Sequence, residues 1–377
     1  RLGIKPLYYY MDGEGIVFAS EIKAILQDKK VKAALNQRGL NDYISFQFCL
    51  GDETLFKGIK KLLPGHMLSV KGKHVKVKKY WDLEFKIDEG RDADYYSKKL
   101  MMLIEDAVRL RLRSDVSIGA YLSGGIDSST IVCCASSLLG APLKTFTGYF
   151  KEGIEFDERR YATEISKFNK TNHFETCITA KDFIKSFDKL IYFLDEPVAG
   201  PGVLPQHFVS RAASENVKVV LGGQGGDEIF GGYVRYFLAY FEDSIGKLIF
   251  DGKTSLNQAA ELKAMMGNLS QLKGYQPLMR YFWQEGLFES SDKRYYRLIR
   301  KDAMINQLLS DDALAAHSSD DAFERCQEIF NQFDKDSLIN KMMHFDVKTL
   351  LPALLQVEDR ASMGASLESR VPLLDHR

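Results

Sequence analysis

The order of apolar and polar residues changes near residue 92, which divides the chain into two patterns. Before that point, short apolar runs alternate with turn residues, as expected for strands joined by tight turns. Ser20–Gln27 begins with Ser-Glu and predicts a short helix capped by its serine. A polar stretch, Asp88–Asp94, predicts the linker to the second pattern. The predicted strands are Leu7–Tyr10, Gly15–Ala19, His66–Val70 and Val75–Tyr80.

The second pattern alternates helices with short apolar strands. It predicts a parallel sheet covered by helices on both faces, with ligands bound beyond the carboxyl ends of the strands. The strands are predicted over Val116–Leu122, Leu143–Phe150, His173–Cys177 and Val217–Leu221. Helices are predicted over 95–113, 128–139, 157–167, 183–193 and 204–216, and a mostly helical core and lid, rich in aromatic residues, over 235–345. In the first helix, one face is expected to carry Tyr96, Leu100, Leu103, Ala107 and Leu110.

Composition narrows the classes of partner. The 51 basic and 51 acidic residues give a formal charge of zero, which argues against a nucleic acid or a membrane surface as the main partner. The sequence contains no run of about 18 apolar residues, so no spanning helix is predicted. Five irregularly spaced cysteines are typical of free thiols in a reducing compartment, here the cytoplasm. With no targeting segment at Arg1 and an abrupt end at Arg377, both ends are expected to be cuts within a longer protein.

The most informative motif, Leu122–Ser129, joins a predicted strand to a predicted helix with the sequence Leu-Ser-Gly-Gly-Ile-Asp-Ser-Ser. Exposed amides of such a loop and the positive end of a helix surround one point and favour an anion, typically phosphate. Asp127 is a natural ligand of Mg²⁺, which usually arrives with phosphate oxygens. The motif lacks the Gly-Lys-Ser/Thr ending of a Walker A loop. We therefore predict an ATP user that holds pyrophosphate.

A second loop, Gly222–Tyr233, holds six glycines in twelve residues and follows the last predicted strand. Glycine lets the backbone approach a ligand closely, although a lone loop of this kind is more often a tight connection. Asp227 ends the glycine run and begins a predicted helical turn. Together with Asp127 from the neighbouring strand end, it is predicted to hold one Mg²⁺ that bridges phosphate oxygens.

Several motifs resemble known families. Ser123–Ser129 resembles the pyrophosphate loop of the N-type ATP pyrophosphatases. The second loop, with Asp359–Met363 and Leu367–Asp375, resembles the glutamine-hydrolysing asparagine synthetase family. Three further segments resemble the later part of that family's glutaminase domain, namely Arg1–Tyr9, Phe18–Lys23 and Leu63–His66.

This resemblance covers nearly the whole chain and implies its domains. Residues 1–87 are expected to be an α+β remnant of an N-terminal-nucleophile glutaminase, the C-terminal part of a type-2 glutamine amidotransferase domain. Residues 92–377 are expected to be an α/β parallel-sheet ATP pyrophosphatase domain, like the adenine nucleotide α-hydrolases, with helical additions and a truncated C-terminus.

The family reaction implies the chemistry. Glutamine is hydrolysed, ammonia passes through a tunnel, and a carboxylate, normally that of aspartate, reacts with ATP to give an acyl-adenylate that ammonia converts to an amide. The resemblance thus implies a ligase of asparagine biosynthesis that uses ATP and Mg²⁺. Its small-molecule partners are ATP, glutamine or ammonia, and aspartate or another carboxylate. Neither nucleic acid nor membrane is expected, and a homodimer is left open.

The resemblance also implies roles for single residues, and some residues have more than one role. Asp127, Asp227 and Gln224 are expected to be catalytic, with the two aspartates as Mg²⁺ ligands. Glu368 and Arg370 are expected to line the acceptor side, with a buried structural ion pair as the alternative. Contacts to ATP and its pyrophosphate are expected from Leu122, Ser123, Gly124, Gly125, Asp127, Ser128, Gly148, Gly222 and Gly223.

Four features depart from the family pattern. The family nucleophile is an N-terminal cysteine, whereas Cys49 is internal and lacks a free α-amine as its base, so this fragment is not expected to hydrolyse glutamine. The family's pyrophosphate-steadying lysine falls beyond residue 377. Gln224 replaces a glutamate of the asparagine-forming members, and an amide cannot take up a proton near neutral pH. The segment Val198–Gly202 also differs from the sequence that is usual in the family at this place, which suggests an acceptor other than aspartate.

Three hypotheses follow. The leading one is an ATP-dependent amidotransferase, either an asparagine synthetase or a relative with another acceptor. The second is an intramolecular amide former, such as a β-lactam synthetase or a peptide cyclase, which would lack the N-terminal cysteine in the full-length protein. The third is a non-catalytic homologue, supported only by Gln224 and opposed by the presence of Asp127 and Asp227.

Overall fold

The structure is a computed structural model that describes residues 1–13, 15–72, 74–88, 90–152, 157–250, 263, 269–302, 305–311, 314, 317, 319–333 and 337–377. These residues form two compact units. The first unit contains residues 1–36, 51–226 and 350–377, and the second contains residues 37–50 and 227–349. This division follows packing and leaves the boundary expected between residues 87 and 92 as a prediction. Among the described residues, no helix is long and apolar enough to cross a membrane.

The N-terminal part of the first unit is strand-rich, as predicted. Strands β1 (Tyr8–Met11), β2 (Ile16–Ala19) and β3 (Ile59–Lys61) form an antiparallel sheet in the order β2-β1-β3. Strands β4 (His66–Lys71) and β5 (His74–Lys79) pair as a hairpin. Helix α1 (Ile22–Ile25) contributes its two isoleucines to a small core.

The predicted serine cap of α1 is wrong. Glu21, not Ser20, is the N-cap residue, and its side chain makes no capping hydrogen bond. The first two amides of the helix, Ile22 N and Lys23 N, instead donate to the carboxylate of Asp195, at 2.9 and 3.1 Å. The carboxylate of Asp195, which is distant in sequence, therefore supplies the cap that the local sequence pattern predicts for Ser20.

The rest of the first unit is built on a five-stranded parallel sheet, which confirms the predicted sheet. The strands are β6 (Ile118–Tyr121), β7 (Lys144–Phe150), β8 (Asn172–Ile178), β9 (Val219–Leu221) and β10 (Glu368–Arg370). The short strand β10, with the polar sequence Glu-Ser-Arg, escaped prediction because it carries no apolar run. Within the sheet, the strands lie in the order β10-β9-β6-β7-β8.

The helices of the first unit agree with the predicted alternation. Short 3₁₀ turns lie at Gly200–Gly202 and Pro372–Leu374. Besides the strands, the unit contains α3 (Ala93–Arg111), α4 (Ile126–Leu138), α5 (Arg159–Asn169), α6 (Ala180–Leu194), α7 (Val203–Ser214) and a late helix, Leu350–Met363, numbered α15 below.

The apolar face that the sequence indicates on α3 is not the face that the helix buries. Tyr96, Leu100 and Leu103 are exposed by 37–41%, and among the predicted positions only Ala107 is buried. The buried residues are Ile104, Ala107 and Val108, with Ile104 and Val108 in the core that also contains Leu122 and Ile131. The apolar residues of α3 cover more than one stripe, so the 3.6-residue period fitted two faces and favoured the wrong one.

Every regular element described in the second unit is a helix or a 3₁₀ turn, which agrees with the helical pattern predicted over 235–345. Its role as a lid stays a prediction. Besides a 3₁₀ turn at Leu269–Tyr275, its helices are α2 (Gln37–Phe46), α8 (Gly226–Phe230), α9 (Val234–Phe250), α10 (Gln276–Trp283), α11 (Ser291–Ile299), α12 (Ile305–Leu308), α13 (Ser319–Phe330) and α14 (Leu338–Lys348), followed in the first unit by α15 (Leu350–Met363).

Helix α2 was not predicted, because its buried positions include the polar residues Asn41, Asp42 and Ser45. It is tied to α13 by Arg325, whose guanidinium lies 2.5 Å from the Asp42 carboxylate. A second buried ion pair, between Arg294 and Glu242 at 2.6 Å, joins α11 to α9. Since a buried charge is costly without a partner, these pairs constrain how the helices pack.

Candidate nucleotide site

The first loop is a hydrogen-bonded turn between β6 and α4. Ser123 N donates to Ser128 Oγ at 3.2 Å, and Gly125 N donates to Ser123 Oγ at 3.2 Å. Ser128 Oγ also lies 3.2 Å from the carbonyl oxygen of Gly125, to which it donates. Gly125 is the N-cap of α4, so no side chain caps the first turn of that helix. The loop therefore presents the N-terminus of a 13-residue helix at the carboxyl end of β6.

Gly124 fixes the loop against the start of α5. Its φ is +85°, a conformation that favours glycine. A Cβ atom at this position would lie 2.6 Å from Tyr161 Cβ and 2.7 Å from Ala162 N. Both backbone conformation and space therefore require glycine here, which explains one part of the Ser-Gly-Gly motif.

The second loop lies directly against the first. It follows β9, which pairs in parallel with β6 so that Leu221 is opposite Ala120. A Cβ atom at Gly223 would lie 3.1 Å from Ser128 N, and one at Gly226 would lie 2.1 Å from Asp127 Oδ2. The prediction that both loops meet at one edge of the sheet is confirmed.

This arrangement fits a magnesium–phosphate group. The Asp127 carboxylate borders the backbone at Gly226, where a Cβ would crowd it, and a Cβ at Gly223 would lie 3.2 Å from Asp127 Cβ. Carboxylate oxygens are ligands that Mg²⁺ prefers, and the nearby helix N-terminus favours phosphate. The residues of this cradle can thus hold an anion and a divalent cation together.

Leu122 and Gly148 lie at the same edge of the sheet. Leu122 is buried, and its carbonyl accepts a hydrogen bond from Thr147 of β7. Because Tyr121 pairs with Phe146, Gly148 lies level with Ser123. A Cβ at Gly148 would lie 2.6 Å from Val209 Cγ2, so close packing on α7 accounts for this glycine. Its contact with ATP stays a prediction.

Asp227 is the second residue of α8 and belongs to the second unit. Its carbonyl accepts a hydrogen bond from Gly232 N at 2.9 Å, and a Cβ at Gly232 would lie 2.1 Å from Asp227 Oδ1. The next residue, Glu228, is buried and accepts a hydrogen bond from Tyr233. Burial raises the pKa of Glu228. The role of Asp227 as a metal ligand stays a prediction.

Glu358 on α15 is a residue that sequence reasoning missed. It is 3% exposed, accepts a hydrogen bond from Ser369, and lies against Gly222, where a Cβ would be 2.9 Å from Glu358 Oε1. Its carboxylate also shares a hydrogen bond with the side chain of Gln224. Burial raises the pKa of Glu358 to about 6, although both hydrogen bonds oppose that shift.

A signal for this residue exists in the sequence. Glu358-Asp359-Arg360 places three consecutive charges inside an otherwise apolar helix. All three are buried. Charged residues are seldom fully buried unless they are paired, so such a run indicates a set of specific partners.

The two residues after Glu358 bind the N-terminal region. Asp359 forms an ion pair with Lys5 at 2.6 Å. Arg360 lies 3.4 Å from Asp195 Oδ2, and its guanidinium also donates to the carbonyl of Ser20. The turn of α15 that contains Glu358, Asp359 and Arg360 therefore contacts the strand-rich N-terminal region on one side and the second loop on the other.

Glu368 and Arg370 form an ion pair, as the structural alternative predicts, but the expected burial is wrong, because the Glu368 side chain is 49% exposed. Their side chains lie 2.7 Å apart, and the pKa of Glu368 is lowered by its hydrogen bond to Arg370. Arg370 Nη1 also donates to the carbonyls of Arg111 and Arg113, each at 2.8 Å. These contacts hold β10 to the end of α3. The role of the pair on the acceptor side stays a prediction.

Comparison with protein families agrees with this geometry. Residues 99–377 match the family model described as asparagine synthase, and residues 1–81 match the one described as glutamine amidotransferase domain. The two matches cover both the strand-rich N-terminal region and the parallel sheet with its two loops.

Named relatives point the same way. The glutamine-hydrolyzing asparagine synthetase 1 of Bacillus subtilis is 33% identical over 99% of this chain and 57% of the relative. A putative asparagine synthetase 2 of Methanocaldococcus jannaschii is 36% identical over 66% of this chain and 48% of the relative. A putative asparagine synthetase of Mycobacterium bovis is 29% identical over 99% and 56%. The chain thus spans roughly half the length of these relatives.

Proposed function

The chain belongs to the asparagine synthase family, and from this premise we propose that it is part of a carbon–nitrogen ligase that amidates a carboxylate at the expense of ATP. The observation that supports the proposal most directly is the contact between the two glycine-rich loops, with Asp127 against Gly226. A loop and helix N-terminus that favour phosphate, beside a carboxylate, match the needs of nucleotide activation.

We propose two chemical steps. A carboxylate oxygen attacks the α-phosphorus of ATP, and the bond to pyrophosphate breaks. The nitrogen of ammonia then attacks the acyl carbon, AMP leaves with the electron pair of the C–O bond, and the nitrogen loses one proton to water. The first loop binds and orients the pyrophosphate portion through Ser123, Gly124, Gly125 and Ser128, with Leu122, Gly148, Gly222 and Gly223 beside the nucleotide.

Mg²⁺ is the cation we propose for this site. When bound, it neutralises charge on the phosphate oxygens. Asp127 and Asp227 are its proposed ligands, because each aspartate lies in the first turn of a helix that follows a strand of the same sheet. Asp127 in addition lies against the backbone of the second loop.

Glutamine is the proposed nitrogen donor of the full-length protein. Residues 1–81 match a glutamine amidotransferase domain, and the relatives above are named for glutamine hydrolysis. Their names also make aspartate the first acceptor to test, with asparagine as product. Gln224 remains the observation that favours testing other carboxylates beside it.

The experiment is a carboxylate-dependent ATP–pyrophosphate exchange assay on the full-length protein with Mg²⁺. Aspartate and a panel of other carboxylic acids are compared, first with ammonium and then with glutamine as the nitrogen source. We expect exchange with one acid and AMP release that requires nitrogen. Absence of both with every acid would overturn the proposal.

Cytoplasmic location and a homodimer are finer proposals for the full-length protein. A reducing compartment is consistent with the cysteines, since no disulfide joins the five in the part of the chain that the structure describes. Fractionation of cells with an antibody tests the location. Sedimentation equilibrium of the purified protein tests the dimer, which a single monomeric species would contradict.

A further inference from the structure

We propose that Glu358 is a positioning residue that orients the side-chain amide of Gln224, so that the carbonyl oxygen of that amide faces the reacting groups. This inference rests on the proposed function, since it assigns a role within the same nucleotide site. It concerns a carboxylate that neither the motifs nor the family matches single out.

The contacts of Glu358 leave it few alternatives. The side chain is buried beneath the second loop, with Ser369 donating to one carboxylate oxygen and Gln224 sharing a hydrogen bond with the carboxylate. Gly222 passes so close that even a methyl group there would lie 2.9 Å from Glu358 Oε1. The loop backbone and the carboxylate therefore fit only in one arrangement.

The chemistry of the pair fixes which end of the amide faces Glu358. An ionised carboxylate only accepts hydrogen bonds, so it must receive the Nε2–H group of Gln224. The carbonyl oxygen is on the other branch of the planar amide and points away from Glu358. Without an acceptor at this position, the two ends of the amide would be free to exchange places.

The carboxylate itself is held by its neighbours on α15. Asp359 is paired with Lys5, and Arg360 is held by Asp195, so the backbone of this turn is tied on the side opposite the loop. Such support is what a positioning group requires, because a loosely held carboxylate would not select one orientation of its partner.

The side-chain oxygen of Gln224 is chemically suited to the second step. Gln224 follows Gly223, which borders Asp127 and Ser128, so it belongs to the part of the second loop that lies against the first loop. An amide oxygen accepts hydrogen bonds from N–H donors, and attacking ammonia is such a donor. Gln224 orients the nitrogen while the C–N bond forms and AMP leaves; the released proton goes to water, because an amide does not take it up.

The test separates the two steps in the full-length protein. We compare wild type, Glu358→Gln, Gln224→Leu and the double variant for carboxylate-dependent ATP–pyrophosphate exchange and for kcat/KM with ammonium. Glu105→Gln is the matched control, since Glu105 is half-exposed on α3, where it forms an ion pair with Arg109. Thermal unfolding of each variant is recorded first.

We expect Glu358→Gln to lower kcat/KM for ammonium about tenfold while exchange changes less than about threefold. In the Gln224→Leu background the same substitution should have no further effect on kcat/KM, because Glu358 acts through Gln224. A purely structural Glu358 would lower exchange and amidation together, or would have equal effects in both backgrounds, and either result overturns the inference.

The remaining outcomes are also decisive. If Glu358→Gln does not fold, Gln224→Leu alone must lower kcat/KM for ammonium with exchange retained, and failure to do so overturns the inference. If wild type exchanges but Glu358→Gln behaves like Glu105→Gln, only this inference is overturned. If wild type shows no exchange with any acid, the proposed function itself fails, and the inference fails with it.

Discussion

Asp195 caps a helix that begins 173 residues earlier in the chain, by accepting a hydrogen bond from Ile22 N at 2.9 Å. The same carboxylate receives Lys23 Nζ at 2.8 Å and lies 3.4 Å from Arg360. Its side chain is only 1% exposed. Asp195 thus joins α1, the end of α6 and α15, so that one buried charge organises three elements.

Replacing Asp195 is expected to destabilise the protein strongly. Asp195→Asn removes the charge that Arg360 and Lys23 face, and should lower the free energy of unfolding by about 3 kcal/mol. Urea unfolding measures the change. Asp94→Asn is the control, because its ion pair with Lys98 is exposed and should contribute less than about 0.5 kcal/mol. Equal effects of the two substitutions would contradict the capping role.

Gly226→Ala is expected to impair ATP chemistry. The added Cβ would lie 2.1 Å from Asp127 Oδ2, so the carboxylate must move. A displaced Asp127 should lower ATP–pyrophosphate exchange about a hundredfold, measured with the full-length protein. Gly140→Ala is the matched control, because its Cβ would meet nothing within 4 Å. Normal exchange by Gly226→Ala would show that the position of this carboxylate does not matter.

Asp127→Ala is expected to abolish exchange, since it removes a proposed Mg²⁺ ligand beside the pyrophosphate. Raising the Mg²⁺ concentration should not restore the wild-type rate, because the lost ligand is not replaced by water at the same geometry. Exchange is measured across a Mg²⁺ titration. Asp115→Ala, which alters an exposed aspartate before β6, serves as the control. Unchanged exchange in Asp127→Ala refutes the metal assignment.

Stability should depend on pH through Glu358. Because burial raises its pKa to about 6 in the folded protein, the folded state keeps a proton that the unfolded chain releases near its ordinary pKa of 4.5. Stability therefore falls as pH rises through this window, by about 2 kcal/mol for a shift of this size. The shift in Glu196 has the same sign, so wild type is compared with Glu358→Gln. The difference between their urea midpoints should change with pH, and a constant difference would contradict the shift.

Gln224→Glu alone is not expected to supply a working carboxylate. It would place two carboxylates within hydrogen-bonding reach, and one of them would retain a proton to higher pH. We expect a lower melting temperature at pH 8 than at pH 6 for this variant. The double variant that carries both Gln224→Glu and Glu358→Gln again has one carboxylate and one amide. Its melting temperatures at pH 6 and pH 8 should therefore not differ in this way. The same pH effect in both variants would disprove the coupling.

The sequence predicted the parallel sheet and the meeting of its two loops because both depend on local pattern. Apolar runs specify strands, and the register of parallel strands brings the loops after Tyr121 and Leu221 to one edge. Gly124 and Gly226 were noticed as loop residues, yet their close neighbours, Tyr161 and Asp127, come from tertiary packing.

The predictions that failed depended on distant contacts. Ser20 is a residue type that often caps helices, but the amides of Ile22 and Lys23 donate to Asp195 instead. Strand β10 forms only because β9 offers an edge for its backbone, since Glu-Ser-Arg carries no strand signal of its own. Glu358 could not be predicted because its partners, Ser369 and Gln224, come from other parts of the chain. Both of these residues lie in motifs to which other roles were assigned.

The three consecutive charges Glu358, Asp359 and Arg360 point to three different partners from a single helical turn. Each residue of a helix is rotated by about 100° from the one before it. Inserting or deleting one residue ahead of this turn would therefore swing every one of these groups away from its partner at once. Evolution can vary the length of the exposed connections in this molecule far more freely than it can change the count of residues in α15.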